Sequence, residues 1–75
     1  MESGLDYTII RPGGLTDEEG TGRIEAAESL GRRGQISRDD VARTFAEALE
    51  LENTYHKTFE ILGGETPIRE ALERI

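Results

Sequence analysis

Leu5–Gly22, LDYTIIRPGGLTDEEGTG, decides the fold. Its first half, Asp6 to Ile10, is rich in β-branched and aromatic residues, which suit a pleated surface buried on at least one side. Pro12 is expected to end this strand, because proline brings no N–H to a sheet ladder. Gly13 and Gly14 then allow backbone dihedrals that a side chain would forbid, or close approach to a ligand. Leu15 leads into Thr16, Asp17, Glu18 and Glu19, which predict an exposed loop at one end of a strand. In open α/β sheets ligands sit at that place.

Working outward, Met1–Gly4 reads as the tail of a helix closed by a glycine stop at Gly4. That start leads us to expect a segment of a longer protein. On the other side, GRIEAAES (22–29) alternates Ile24 and Ala26 against Arg23 and Glu25. This pattern favours a short edge strand over a helical turn. LGRRGQ (30–35) is a glycine- and arginine-rich connection.

Ser37 is a helix N-cap, with Asp40 three positions on in a capping-box arrangement and two acids in the first turn. A helix is predicted from Arg38 to about Glu52. Val41, Ala42, Phe45, Ala46, Ala48 and Leu49 fall at steps of three and four and form its apolar stripe. Ile36 stands where a hydrophobic staple would. Asn53–His56 is a turn, and KTFEIL (57–62) is an alternating strand closed by Gly63 and Gly64. Thr66 is expected to cap a last helix with Pro67 at its first position. Ile68, Ala71, Leu72 and Ile75 supply the apolar face.

Composition narrows the function classes. Seventy-five residues form at most one small domain, and 35% hydrophobic content is thin for an independent core. The shortage suggests that the apolar faces pack on something outside this stretch. A net charge of −7 argues against nucleic-acid or anionic-membrane partners. No apolar run reaches the ~20 residues of a membrane span, and no secretory signal opens the chain. The expected setting is cytoplasmic. No metal site is expected, since there is no cysteine and His56 is the single histidine.

Three stretches together, SGLDYTIIRPGGLTDEEGTG (3–22), ISRDDVARTFAEAL (36–49) and NTYHKTFEILGGETPIREAL (53–72), resemble the C-terminal part of an atypical short-chain dehydrogenase/reductase. The similarity is to its NAD(P)H-binding, NmrA-like members, including those named as sugar epimerases. It implies an α/β fold, a partial Rossmann-type unit of strand, loop, short strand, helix, strand and helix that ends a doubly wound sheet. It also implies NAD or NADP as cofactor of the full-length relatives. The loop bordering that cofactor would fall on Arg11, Pro12, Gly13, Gly14 and Leu15. Thr16 and Asp17 would form the rim of the substrate cleft.

Two features of active members are missing. Gly20-x-Gly22 is followed by Glu25 where the dinucleotide fingerprint needs a third glycine. Tyr7 and Arg11 have the spacing of a Tyr-x-x-x-Lys pair, but four residues along a strand span about 13 Å. No catalytic residue is assigned, and the stretch alone is expected to bind no cofactor. Asp17, Glu18 and Glu19 read as solvated acids. Arg32 and Arg33 could hold a phosphate, but beside glycines they read as a solvated turn. The expected partner is either the missing N-terminal half or a second copy in a homodimer. The reading set against the enzyme segment is a small self-associating interaction module.

Overall fold

The computed structural model describes residues 7–75. The readings of Met1–Gly4 and of a strand start at Asp6 lie outside that span. β1 is Thr8–Pro12, β2 Gly14–Thr16, β3 Arg23–Ala27 and β4 Gln35–Ser37. Helix α1 is Arg38–Ala48, followed by a 3-10 turn at Glu52–Thr54. β5 is Lys57–Gly63, β6 Thr66–Pro67 and α2 Ile68–Glu73. The main sheet runs in the order β1-β5-β3-β6, and β2 and β4 form a small second sheet.

β1 and β5 are parallel, with Ile10 opposite Phe59 and Pro12 opposite Ile61. β3 lies antiparallel on the other side of β5, with Ile24 opposite Gly63 and Ala26 opposite Ile61. The expected strand at Gly22–Ser29 therefore forms, but it is interior, because Thr66 and Pro67 pair along its outer side. Period-two alternation puts Ile10, Phe59, Ile61, Ile24 and Ala26 on one face. They join Ala48, Ile68, Ala71 and Leu72 in a single apolar cluster. Both helices thus cover the same face of the sheet. The opposite face has no helix over it among the described residues, and Ile9 there is 47% exposed.

β1 does end at Pro12, but with the proline inside it as its last paired member. The backbone directions explain this. His56 donates to the Tyr7 carbonyl, and Gly13 N–H donates to Ile61 O at 3.1 Å. Odd-numbered residues therefore face β5, and the Pro12 nitrogen points to the open edge, where a missing N–H breaks no ladder bond.

The loop expected at Gly14–Thr16 is instead β2, paired in parallel with β4. No alternation announces three residues of strand; each becomes one only beside the other.

Helix α1 starts where its cap predicts, with the Ser37 hydroxyl accepting Asp40 N–H at 3.1 Å. It is shorter than expected. Thr54, fully buried, shares its hydroxyl proton between the Ala48 and Leu51 carbonyls at 3.0 and 2.8 Å. Those bonds take up carbonyls that a longer helix would have used.

The inward face of α1 also differs from the apolar stripe. Asp40, Thr44 and Ala48 are buried, with Val41 half-buried against the core. Ala42, Phe45, Ala46 and Leu49 point outward, Leu49 at 74% exposure. Ile36 enters the core as its staple-like position suggests.

The last helix keeps its apolar face, with Ile68, Ala71 and Leu72 buried and Ile75 packed against the core. Its start is different. Thr66 pairs with Ile24 in the sheet, so it cannot cap, and Pro67 takes the cap position. The Gly22 carbonyl accepts Ile68 N–H at 3.1 Å instead. Arg69 holds α2 to α1 through Glu47 at 2.7 Å and Glu50 at 3.3 Å.

Candidate functional site

The carboxyl ends of parallel β1 and β5 open into a cleft of about 460 Å³. Three segments line it: Arg11–Gly14 from β1 into β2, Leu30 and Arg32–Gln35 ahead of β4, and Glu60–Leu62 from β5. The register that sets Gly14 against Gln35 brings the second segment beside the first. Gly14 N–H closes the junction on Gly34 O at 3.0 Å.

Of the residues expected at a cofactor loop, Arg11, Pro12, Gly13 and Gly14 therefore share one cleft. Leu15 lies outside its lining and is 44% exposed. Thr16 belongs to a neighbouring hollow of about 330 Å³ with Glu18, Glu19 and Asp40. Asp17 is turned to Arg38, which donates to it at 2.8 Å in a solvent-exposed pair.

The two glycines have different reasons to be there. Neither has a positive φ, so unusual dihedrals are not the reason. A Cβ on Gly13 would strike the Leu62 side chain and lie 2.7 Å from the Gly34 carbonyl oxygen. Close packing on Leu62 thus accounts for Gly13. A Cβ on Gly14 would meet only ordinary contacts at 3.6 Å.

The charges around the cleft are arranged unevenly. Glu60 accepts Leu30 N–H at 2.9 Å, and Arg32 is tied to Glu25 at 2.7 Å. The Arg32 guanidinium is pushed up in pKa by its hydrogen bond to Glu25 and by that carboxylate's charge. Arg11 and Arg33 make no side-chain bond or ion pair with the described residues.

The 20–22 loop packs against both helix N-termini. On α1, Asp40 Oδ1 accepts Gly22 N–H at 2.9 Å and Oδ2 accepts Thr21 N–H at 3.1 Å. Asp39 accepts Gly20 N–H at 3.2 Å. The Asp40 carboxylate is thus spent on the 20–22 loop rather than on a reciprocal capping box. Burial alone would raise its pKa; the Thr21 and Gly22 N–H groups, with the Ser37 and Thr21 hydroxyls, outweigh that and hold it below the usual range. The pyrophosphate of a dinucleotide is held by a free helix N-terminus. At α1 that place holds the Asp39 and Asp40 carboxylates and the 20–22 loop, a setting that does not fit a pyrophosphate.

Tyr7 lies at the opposite end of β1 from the cleft. It is 50% exposed and meets the His56 ring edge-on at 4.9 Å. It and Arg11 do not converge. The signal that sequence reading underused is Arg32-Arg33-Gly34. Only the β2–β4 pairing, which has no local signature, puts these residues in the cleft.

A family profile described as NAD(P)H-binding matches residues 1–52. The chain belongs to the NAD(P)H-binding family. Within or beside that family, it is 55% identical over 73 residues to the uncharacterized sugar epimerase YhfK of Bacillus subtilis, covering 97% of this chain and 34% of YhfK. A solved Bacillus halodurans protein, described as a candidate NAD-dependent epimerase/dehydratase, superimposes with a TM-score of 0.91 at 43% identity. It covers 97% of this chain and 35% of its own. The oxidoreductase ylbE of Lactococcus lactis superimposes with a TM-score of 0.82 at 40% identity, over 97% of this chain and 32% of ylbE.

The chain spans about a third of the length of these relatives, and the stretch matched is their C-terminal part. The expected α/β, Rossmann-like fold is thereby established. No helix of the described residues is long and apolar enough to cross a membrane.

Proposed function

We propose that this chain is the cleft-walling part of an NAD(P)-dependent epimerase- or oxidoreductase-like protein. It ends the sheet and forms one side of the cofactor and substrate cleft, and it is not catalytically competent alone. The observation that carries this reading is the cleft at the carboxyl ends of β1 and β5, built from Arg11–Gly14 and Arg32–Gln35. Ligands of open α/β sheets bind there. A dinucleotide-binding half, pairing along the open edge of β1, supplies the pyrophosphate site. Arg11–Gly14 then border the reactive end of the cofactor, with Thr16 and Asp17 further out on the rim.

The open edge favours a second reading. β1 has no strand on its outer side among the described residues, and Tyr7, Ile9, Leu15, Phe45 and Leu49 are exposed. Without its other half, the chain associates with a copy of itself.

The deciding experiment replaces the matching third of YhfK with this chain and follows NADPH binding by fluorescence. The fusion is expected to bind NADPH and the 75-residue chain to bind none. A folded fusion that ignores NADPH, or a chain that binds it as tightly as the fusion, would overturn the proposal.

A further inference from the structure

We infer that Arg11 and Arg33 form a subsite for a phosphate-class oxyanion on the substrate, not on the dinucleotide. The inference rests on reading the 460 Å³ cleft as the ligand cleft. Four observations carry it.

The lining holds three arginines and one glutamate, in a chain whose net charge is −7. Positive charge is therefore concentrated at this one cleft against the trend of the molecule. The partners are also settled. Arg32 is neutralised by Glu25 at 2.7 Å, and Glu60 is engaged by Leu30 N–H at 2.9 Å. Among the described residues Arg11 and Arg33 are left with uncompensated charge, and an arginine fork matches two oxygens of a phosphate at once.

The two glycine amides beside Arg11 are already satisfied. Gly13 N–H goes to Ile61 O and Gly14 N–H to Gly34 O, so these amides cannot form an anion nest. Recognition falls to the guanidinium groups. Finally, on the proposed reading Arg11–Gly14 border the reactive end of the cofactor, while the dinucleotide's phosphates lie toward the half that holds its pyrophosphate. The anion at Arg11 and Arg33 is therefore the second ligand's.

The test is a two-dimensional NMR titration of the chain with inorganic diphosphate, observing the arginine Nε–H and glycine amide signals. Saturable shifts are expected at Arg11, Arg33, Gly14 and Gly34. Arg11→Gln and Arg33→Gln should each weaken binding about tenfold, an effect of the size of one charged hydrogen-bonded contact. Arg23→Gln, which removes a cation outside the cleft, should leave it unchanged. Absence of saturable shifts, or equal weakening by all three variants, overturns the inference.

The source of the anion is read in the YhfK fusion. If NADPH and diphosphate bind together, the subsite is the substrate's. If NADPH displaces diphosphate from Arg33, the anion is the cofactor's and the inference fails. A fusion that does not bind NADPH, while the chain still binds diphosphate, overturns the cofactor reading and leaves the oxyanion subsite standing.

Discussion

At the scale of single residues, Gly13 and Gly14 are adjacent yet make opposite predictions. A methyl group on Gly13 has no room, since the Gly34 carbonyl oxygen would lie 2.7 Å away and Leu62 occupies the remaining space. The oxygen is backbone, so it cannot swing aside as a side chain can. Gly13→Ala is expected to cost about 1–3 kcal/mol, the usual range for overpacking. Gly14→Ala, at ordinary contact distance, should stay within about 0.5 kcal/mol. Urea unfolding of the two variants checks this, and equal midpoints would refute the packing account. Proximity in sequence hid the difference. A Gly-Gly pair after a strand reads as one loop signal, whereas Leu62, which separates the two roles, lies some fifty positions away on β5.

At the scale of elements, the contact between the α1 N-terminus and the 20–22 loop decides which side of the helix faces inward. Asp40 is 3% exposed and its carboxylate gathers two backbone N–H groups from that loop. With Asp40 drawn in, Thr44 and Ala48 follow one turn at a time. Thr44 satisfies its hydroxyl on Asp40 O at 2.7 Å. The start of α1 was legible from Ser37 and two acids, because capping is local. Its buried side was not, because an apolar stripe of alanines competes with a polar one that is satisfied only by distant residues.

The same contact sets an acid dependence. The folded pKa of Asp40 lies below its unfolded value, so its contribution is complete above the unfolded carboxylate range, about pH 4–5. It is lost as pH falls through the folded value. Asp40→Asn should cost about 1–3 kcal/mol at pH 6. Going from pH 6 to pH 3, the variant should also lose less stability than the parent chain, as read from urea midpoints. Parallel losses would mean that Asp40 does not carry the acid response.

At the scale of the whole molecule, one sheet face is roofed by two helices and the other, among the described residues, has no helix over it. A parallel pair such as β1 and β5 is normally covered on both faces. Low hydrophobic content pointed to missing cover, and the position of the bare face now locates it. Ile9, 47% exposed on that face and beside the open edge, is the natural place to probe self-association. The isolated chain is expected to run as a dimer in light scattering. Ile9→Lys should make it monomeric, since a charge on an edge strand deters pairing. A parent chain that stays monomeric at every concentration would sink the self-pairing reading.

The order of elements was legible because β1, α1, β5 and α2 each carry their own periodicity, and the Rossmann-like character came from the family resemblance. β4 was not, since Gln35-Ile36-Ser37 gains its strand only by lying against Gly14-Leu15-Thr16. That pairing also folds the arginine pair into the cleft, so half of the candidate site depended on an element with no local signal.

The orientation of Pro12 has a consequence for assembly. A strand arriving at the outer side of β1 finds backbone donors at Thr8 and Ile10, and then none, because the next outward-facing nitrogen carries no hydrogen. The ladder loses one donor bond just short of the cleft, which weakens pairing there. The proline thus works as a doorstop, loosening the closing edge of the sheet beside Arg11.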